Sequence, residues 1–154
     1  MGITREQRIR VKGMGNYQEL IFYQKARQTT KDINALIRNW LKTMQVQEIS
    51  RQLFRSASSI GANIAEGHGR HQGTEYIHYL IMAQGSVNET EHWLHTAQDC
   101  ELGPKEKIDE ILKLNYEVMR MITTTINTLR AKQGTKSFRE GQTDYTVDSD
   151  LSNE

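Results

Sequence analysis

The stretch Phe54–Arg70, which reads FRSASSIGANIAEGHGR, determines the fold that we predict for this chain. Four apolar residues in it or just before it recur at helical spacing: Leu53, Ala57, Ile60 and Ile64. This spacing predicts a helix with one buried face. The central part, 56–65, has no charged side chain and consists mostly of small residues. Because small side chains let a neighbouring backbone approach closely, we expect this helix to be packed on more than one side.

Polar residues interrupt this small-residue surface and would need hydrogen-bonding partners if they were buried. Arg55, Asn63 and Glu66 lie in the stretch itself, and Glu89 lies in the next predicted helix. A structural network between helices or between subunits is the more common arrangement, and a catalytic polar cluster is the alternative. The residues predicted to form this network or interface are Arg55, Ser59, Gly61, Asn63, Ala65, Glu66, Arg70 and Glu89.

Length and composition fit one domain with oppositely charged ends. The chain has 154 residues, of which 36% are hydrophobic, and its formal net charge is +1. A domain of this length can bury a substantial core. The segment 1–16 has an excess of arginine and lysine, and the segment 133–154 has an excess of aspartate and glutamate. We therefore predict a flexible basic N-terminal segment over 1–16 and a disordered acidic tail over 133–154.

The cysteine content and the absence of targeting signals indicate a compartment. Cys100 is the single cysteine, so no internal disulfide can form, and a reducing environment suits the chain. The basic N-terminus lacks the apolar segment of a signal peptide, and no apolar run is long enough to span a membrane. We therefore expect a cytoplasmic protein that has no membrane partner.

Apolar periodicity predicts four helices, at about 17–42, 46–66, 75–100 and 104–132. Asn16 is a suitable N-cap for the first helix, and Gly67 is a suitable residue to end the second. Gly103 and Pro104 separate the last two helices. No segment has the pattern of a strand. Four helices with short connections predict an all-α fold, an antiparallel up-down-up-down four-helix bundle over 17–132.

Two Glu-x-x-His elements resemble the ligands of di-metal sites in helical bundles. They are Glu75–His78 and Glu89–His92. A di-metal site needs such elements from two facing helices, but both of these lie on one predicted helix, about 21 Å apart. We therefore predict no metal and no cofactor, and we interpret both elements as surface polar residues.

No catalytic arrangement emerges from the remaining residues. Cys100 lies at a predicted helix C-terminus, where the helix dipole disfavours a thiolate. The Gly67-His68-Gly69 segment lacks the preceding strand and the following Gly-Lys-Ser/Thr of a phosphate-binding loop. We therefore expect that the chain is not an enzyme.

A basic stripe follows the polar face of the first predicted helix. Its members are Arg27, Lys31, Arg38 and Lys42. Four cations on one side of a helix can follow the phosphates of a nucleic acid, and the N-terminal arginines would add to them. A solvated helix face is the more common explanation of such a stripe. Both interpretations remain open on composition alone.

One residue pattern extends over several of the predicted helices, and its most specific part is Asn63-Ile64-Ala65-Glu66-Gly67. Its other residues are Tyr23-Gln24-Lys25-Ala26, Gln52-Leu53, Arg55, Ser59-Ile60, Arg70, Glu75-Tyr76, Leu80, Ala83, Gly85-Ser86 and Glu89. Through this pattern, roughly residues 17–130 resemble the four-helix-bundle proteins that are encoded in 23S rRNA intervening sequences.

This resemblance implies an antiparallel four-helix bundle that assembles as a ring-like homopentamer. The family is also similar to the accessory variability proteins of diversity-generating retroelements, which bind nucleic acid and a reverse transcriptase. By that analogy, RNA or DNA and a reverse transcriptase are expected partners, although fold alone does not determine function. The resulting prediction is a self-assembling scaffold with a nucleic-acid-binding role. A protein-interaction scaffold without nucleic-acid binding is the alternative.

Overall fold

The computed structural model describes residues 15–70 and 73–143, with side chains described up to residue 135. A short 3-10 turn, Tyr17–Glu19, precedes four long helices. These are α1 (Ile21–Ile37), α2 (Met44–Arg70), α3 (Gly73–Asp99) and α4 (Lys105–Thr143). The described residues contain no strand, so the prediction of an all-α fold with four helices is confirmed. None of the described helices is long and apolar enough to cross a membrane.

Each helix packs against its neighbours in the sequence, and α1 also packs against α4. The contact between α2 and α3 is the most extensive. Paired residues in this contact follow opposite directions along the chain, since Ser56 meets Thr90 and Gly67 meets Tyr79. The same holds between α3 and α4, where Gln84 Nε2 donates to Thr123 Oγ1 at 2.8 Å and Gln98 Nε2 donates to Asp109 Oδ1 at 2.7 Å.

The first helix is shorter than the sequence predicts. Asn16 does cap the chain, because its Oδ1 accepts from the Gln18 N–H at 3.1 Å, but it caps the 3-10 turn. The helix α1 ends at Ile37, and the Trp40 N–H donates to the Ile37 carbonyl at 3.2 Å in the following turn. The next helix begins at Met44, where Thr43 Oγ1 accepts from the Val46 N–H at 3.4 Å.

The prediction that Gly67 ends the second helix is wrong. The helix α2 continues to Arg70, and Gly67 is buried inside it. A Cβ atom at this position would lie 2.6 Å from the Tyr79 Cβ and 3.1 Å from the Tyr76 Cδ2. The glycine is therefore needed for the close approach of α2 to α3, and not for a left-handed helix ending.

The last helix is longer than predicted. It continues to Thr143, whereas the sequence indicates that it ends near residue 132 and is followed by a disordered tail. The prediction of disorder is therefore wrong for 133–143, and its remainder, 144–154, lies outside the described residues. Residues 1–14 of the N-terminal segment that we predict to be flexible also lie outside the described residues. Local periodicity failed at this C-terminus because a helix without an apolar face gives no such signal.

The core consists of two apolar clusters with a polar layer between them. Phe22, Ile64 and Leu80 belong to one cluster, and Ile33 and Leu94 belong to the other. Each helix contributes one buried polar residue near the boundary between the two clusters, and in α2 this residue, Ser56, is flanked by Leu53 and Ala57 of the second cluster. These residues, which we call the polar layer, are Thr29, Ser56, Thr90 and Asn115.

Side chains of the polar layer bond across the helices. Thr90 Oγ1 lies 3.0 Å from Ser56 Oγ, which links α3 to α2. Asn115 Nδ2 donates to the Val87 carbonyl at 3.0 Å, which links α4 to α3. The Asn115 Oδ1 is buried and has no hydrogen-bonding partner among the described residues. Buried polar groups of this kind favour one arrangement of helices over others.

Candidate nucleic-acid interface

The four residues of the predicted basic stripe do not all lie on one helix. Arg27 and Lys31 belong to α1, Arg38 follows its last residue, and Lys42 lies in the connection to α2. All four side chains are exposed. In the part of the chain that the structure describes, none of them forms an ion pair with a carboxylate. The end of α1 at Ile37 therefore separates the stripe into a helical pair and a pair beyond the helix.

Arg27 and Lys31 line a groove between α1 and α2, with a volume of 760 Å³. Small residues of α2, among them Ser58, Gly61 and Ala62, form its opposite side. The remaining residues of its lining are Tyr23, Gln24, Gln28, Thr30, Asn34 and Phe54. No aspartate or glutamate is among the lining residues, so the groove is positively charged.

Five other cations of the molecule are neutralised by nearby carboxylates. Lys25 on α1 reaches Glu117 on α4, with 2.6 Å between Nζ and Oε2, and this hydrogen bond lowers the pKa of the Glu117 carboxyl. Four more pairs form within single helices: Arg51 with Glu48, Arg70 with Glu66, Lys105 with Asp109, and Lys107 with Glu110. The unpaired charges of Arg27 and Lys31 therefore distinguish the groove from these surfaces.

Hydrogen-bonding capacity in the groove is concentrated in a few side chains. Ser58 Oγ donates to the Phe54 carbonyl at 2.7 Å, and Thr30 Oγ1 donates to the Ala26 carbonyl at 3.2 Å. Both hydroxyl protons are thus used within their own helices. The Asn34 side chain is exposed and has no hydrogen bond within the described residues. Together with the two cations, it is free to bind a ligand.

A second cavity of 620 Å³ lies beside the C-terminus of α1. Trp40, Leu36 and Gly103 form part of its wall. Three carboxylates also line it, those of Asp32, Glu101 and Glu110. A phosphate would be repelled by these groups. The groove between α1 and α2 is therefore the better candidate for an anionic ligand.

The residues of the predicted polar network are not joined to one another across α2 and α3. Arg55 and Glu89 are exposed and have no ion-pair partner among the described residues. Asn63 Nδ2 donates to the Ser59 carbonyl at 2.9 Å, and Ser59 Oγ donates to the Arg55 carbonyl at 2.9 Å. Both bonds stay within α2, so neither side chain links α2 to α3.

Glu66 pairs with Arg70, one turn further along α2, at 2.6 Å. The Arg70 guanidinium also lies 5.8 Å from the centre of the Tyr79 ring on α3. The hydrogen bond from Arg70 to Glu66 is the main cause that raises the pKa of Arg70, and the charges of Tyr79 and Glu66 contribute less. The pair is half-exposed, so its contribution to stability is small.

The small residues of α2 have two different surroundings. A Cβ atom at Gly61 would lie 3.5 Å from the Tyr23 ring, so this glycine packs against α1 of the same chain. Ala65 instead lines a shallow hollow of 470 Å³ on the outer face of α2. The hollow is formed by Ala62, Ala65, Glu66, Gly69 and Arg70. Gly61 therefore has a neighbour within the chain and Ala65 lines an open surface, although the 3.5 Å distance at Gly61 is an ordinary van der Waals contact that would admit a Cβ atom.

An apolar patch lies on the exposed face of α3. Ile81 is 43% exposed and Met82 is 45% exposed. Nothing lies within 4 Å of the position that a Cβ atom would occupy at Gly85, so no neighbour within the chain accounts for this glycine. Exposed methionine and isoleucine side chains next to a glycine are typical of a surface that contacts another protein chain.

Phe54 is the residue of the groove that the sequence analysis missed. Its side chain is 41% exposed and lines the groove beside the two cations. The sequence does indicate that Phe54 is partly exposed, because it lies outside the apolar repeat of Leu53, Ala57, Ile60 and Ile64. An aromatic residue that lies next to a core position, and not on it, lies at the edge of the buried face.

The two Glu-x-x-His elements lie on the exposed surface of α3. Glu75, His78, Glu89 and His92 are all exposed. Among the described residues, no group of three or more histidine, cysteine, aspartate and glutamate side chains is arranged to hold a metal ion. Cys100 is exposed as a free thiol just after α3.

Comparison with known proteins relates residues 18–124 to a family. The sequence model of the 23S rRNA-intervening sequence protein matches this range. A crystal structure of a protein of unknown function from the S23 ribosomal protein family of Bacteroides thetaiotaomicron is similar, with a TM-score of 0.61 and 27% identity. That similarity covers 69% of this chain and 98% of the other. No curated protein matches the chain. The chain belongs to the 23S rRNA-intervening sequence protein family.

Proposed function

We propose that this protein is a self-assembling scaffold that binds RNA or DNA through the groove between α1 and α2. The proposal includes an antiparallel up-down-up-down bundle as the subunit and no catalytic activity. It also includes a cytoplasmic location, which suits the free Cys100 thiol. The observation that supports binding is the pair Arg27 and Lys31, exposed in a groove that contains no carboxylate.

Charge is the physical basis of the binding proposal. The phosphates of a nucleic acid attract protein cations that have no carboxylate partner. When such cations bind, they displace the counterions that were bound to the phosphates. Lys25, on the same helix, is held by Glu117 and contributes little to such attraction. Arg27 and Lys31 have no such partner within the described residues. Arg38 and Lys42 extend the positive surface beyond the end of α1.

Assembly is proposed to join two different surfaces of neighbouring subunits. One is the apolar patch of α3, with Ile81, Met82 and Gly85, and the other is the hollow of α2 around Ala65 and Gly69. An exposed apolar patch and a shallow hollow on the same subunit suit a heterologous contact, and heterologous contacts form a ring when the rotation between successive subunits closes. The homopentamer implied by the family resemblance is a ring of this kind.

The binding proposal is tested by the salt dependence of nucleic-acid affinity. Replacement of Arg27 and Lys31 by glutamine removes two phosphate contacts. Affinity should fall for every sequence, and the log–log slope against salt should flatten by about 1.4–1.8 units. Fluorescence anisotropy with labelled RNA and DNA over a range of salt concentrations measures both quantities.

The matched control replaces Lys105 and Lys107 by glutamine. This variant changes net charge by the same amount, but both lysines belong to the first turn of α4 and pair with carboxylates of that helix. Its slope should equal that of the unmodified protein. Equal slopes for all three proteins would refute a binding role for the groove.

A protein-interaction scaffold without nucleic-acid binding is the second candidate. The apolar patch of Ile81 and Met82 favours it, because such a patch suits a protein partner as well as a second subunit. A reverse transcriptase is one such partner by analogy. Absence of nucleic-acid binding at low salt, together with intact self-assembly, would favour this candidate.

A further inference from the structure

We infer that the groove between α1 and α2 takes single-stranded nucleic acid, with the ring of Phe54 as a platform on which a base stacks. This inference rests on the proposed function and specifies the form of nucleic acid that is bound. Its basis is the juxtaposition of an exposed aromatic ring with the unpaired cations of Arg27 and Lys31 in one groove. Proteins that bind single strands combine these two features.

Phe54 is suited to stacking because its ring is available from the groove. At 41% exposure it retains open surface, although it lies on a helix that is otherwise packed against two neighbours. The second aromatic residue of the groove, Tyr23, is used within the chain. Its ring lies edge-on to Tyr17, with 4.9 Å between the ring centres, and packs beside Gly61. Phe54 is therefore the ring that a base can reach.

The polar groups of the groove also suit an unpaired base. Asn34 provides an amide that can both donate and accept, and no group within the described residues occupies it. The hydroxyl oxygens of Thr30 and Ser58 can still accept, since only their protons are used within the helices. These groups can pair with the edge of a base, whereas the edges of paired bases are already partly occupied.

A duplex does not fit this combination of features. Its bases are stacked on one another inside the helix, so Phe54 could meet only sugar and phosphate. The axes of packed helices lie about 8–10 Å apart, and a groove between two of them admits one strand and not a double helix. A duplex would contact the cations from outside the groove and gain nothing from the aromatic ring.

The test compares single-stranded and double-stranded oligonucleotides of about ten nucleotides, as RNA and as DNA, by fluorescence anisotropy at fixed low salt. Phe54→Leu keeps an apolar side chain but removes the ring, and Phe54→Tyr keeps the ring. Tyr116→Leu is the matched control, because Tyr116 is an aromatic residue of α4 that is 64% exposed and lies outside the groove. Circular dichroism checks that each variant is folded.

Phe54→Leu should weaken binding of the single strand by about 5- to 100-fold, as expected for the loss of one stacked base. Its affinity for the duplex should change by less than about twofold, and Phe54→Tyr and Tyr116→Leu should bind as the unmodified protein does. The RNA and DNA arms then distinguish the two kinds of strand. Equal effects of Phe54→Leu on single strand and duplex would overturn the inference and leave the proposed function intact. No binding of either form by the unmodified protein would overturn both.

Discussion

At the scale of the residue, Gly67 is the position at which packing depends most directly on a missing side chain. It is buried within α2, and a Cβ atom there would lie 2.6 Å from the Tyr79 Cβ. That contact involves the base of the tyrosine side chain, which cannot rotate away. The close approach of α2 to α3 therefore requires glycine, although glycine in a helix costs about 1 kcal/mol relative to alanine.

Gly67→Ala should destabilise the protein by up to about 2 kcal/mol. The gain in helix propensity is outweighed by overpacking against Tyr79 and Tyr76, which costs about 1–3 kcal/mol. Gly134→Ala in α4 is the matched control, since no atom lies within 4 Å of its added methyl group, and it should stabilise by up to about 1 kcal/mol. Urea denaturation of both variants measures the difference. A more stable Gly67→Ala variant would mean that α2 and α3 separate readily.

The sequence predicts the small size of these residues but not the reason for each. Gly61 and Ala65 appear equivalent in the amino-acid sequence, because both lie off the apolar repeat. In the folded chain, Gly61 meets the Tyr23 ring, whereas Ala65 lines an open hollow. Which neighbour a small residue accommodates depends on how the helices are rotated about their axes, and local sequence patterns do not encode this rotation.

At the scale of the element, helix starts were easier to predict than helix ends. Asn16 and the Gly103-Pro104 pair lie beside observed boundaries, because capping and proline act locally. The early end of α1 at Ile37 has no such signal, since apolar residues continue to Trp40 and Trp40 joins the core beyond the helix. A residue can thus complete the apolar stripe of a helix without belonging to it.

Truncation after Gly134 should lower the thermal midpoint by less than about 2 °C. Residues 130–135 of α4 are exposed, and the sequence from 135 to 154 has no apolar periodicity, so we expect its removal to expose little apolar surface. Truncation after Thr128 provides the comparison. It removes the half-buried Leu129, together with Gln133, whose side chain contacts Gly73 and Thr74. This shorter chain should melt about 2–4 °C lower, as monitored by circular dichroism. Equal losses for both truncations would show that the end of α4 is docked.

At the scale of the whole molecule, the proposed ring should separate into subunits when either of its two surfaces is altered. Met82→Arg adds charge and bulk to the apolar patch, and Ala65→Arg fills the hollow. Each variant alone should be a folded monomer by light scattering coupled to size-exclusion chromatography. Tyr116→Arg, on the exposed surface of α4, should leave the assembly unchanged.

A mixture of the two interface variants gives a sharper result. Met82→Arg retains an intact hollow, and Ala65→Arg retains an intact patch, so one productive contact remains possible between them. A heterologous interface therefore predicts a mixed dimer that cannot grow further. An unmodified protein that is monomeric at micromolar concentration would contradict the assembly proposal.

The polar layer also constrains how the subunit can move. If α3 slid along its axis by a turn, about 5.4 Å, Asn115 Nδ2 would leave the Val87 carbonyl and Thr90 would leave Ser56. Thr90 and Ser56 would keep their hydrogen bonds to the Ser86 and Leu53 carbonyls, but the stranded amide of Asn115 would cost about 1–3 kcal/mol. Axial sliding of α3 and α4 past each other is therefore suppressed. If the proposed ligand or a second copy of the chain binds, these two helices should therefore move together as one stiff unit, with adjustment confined to the connections between helices.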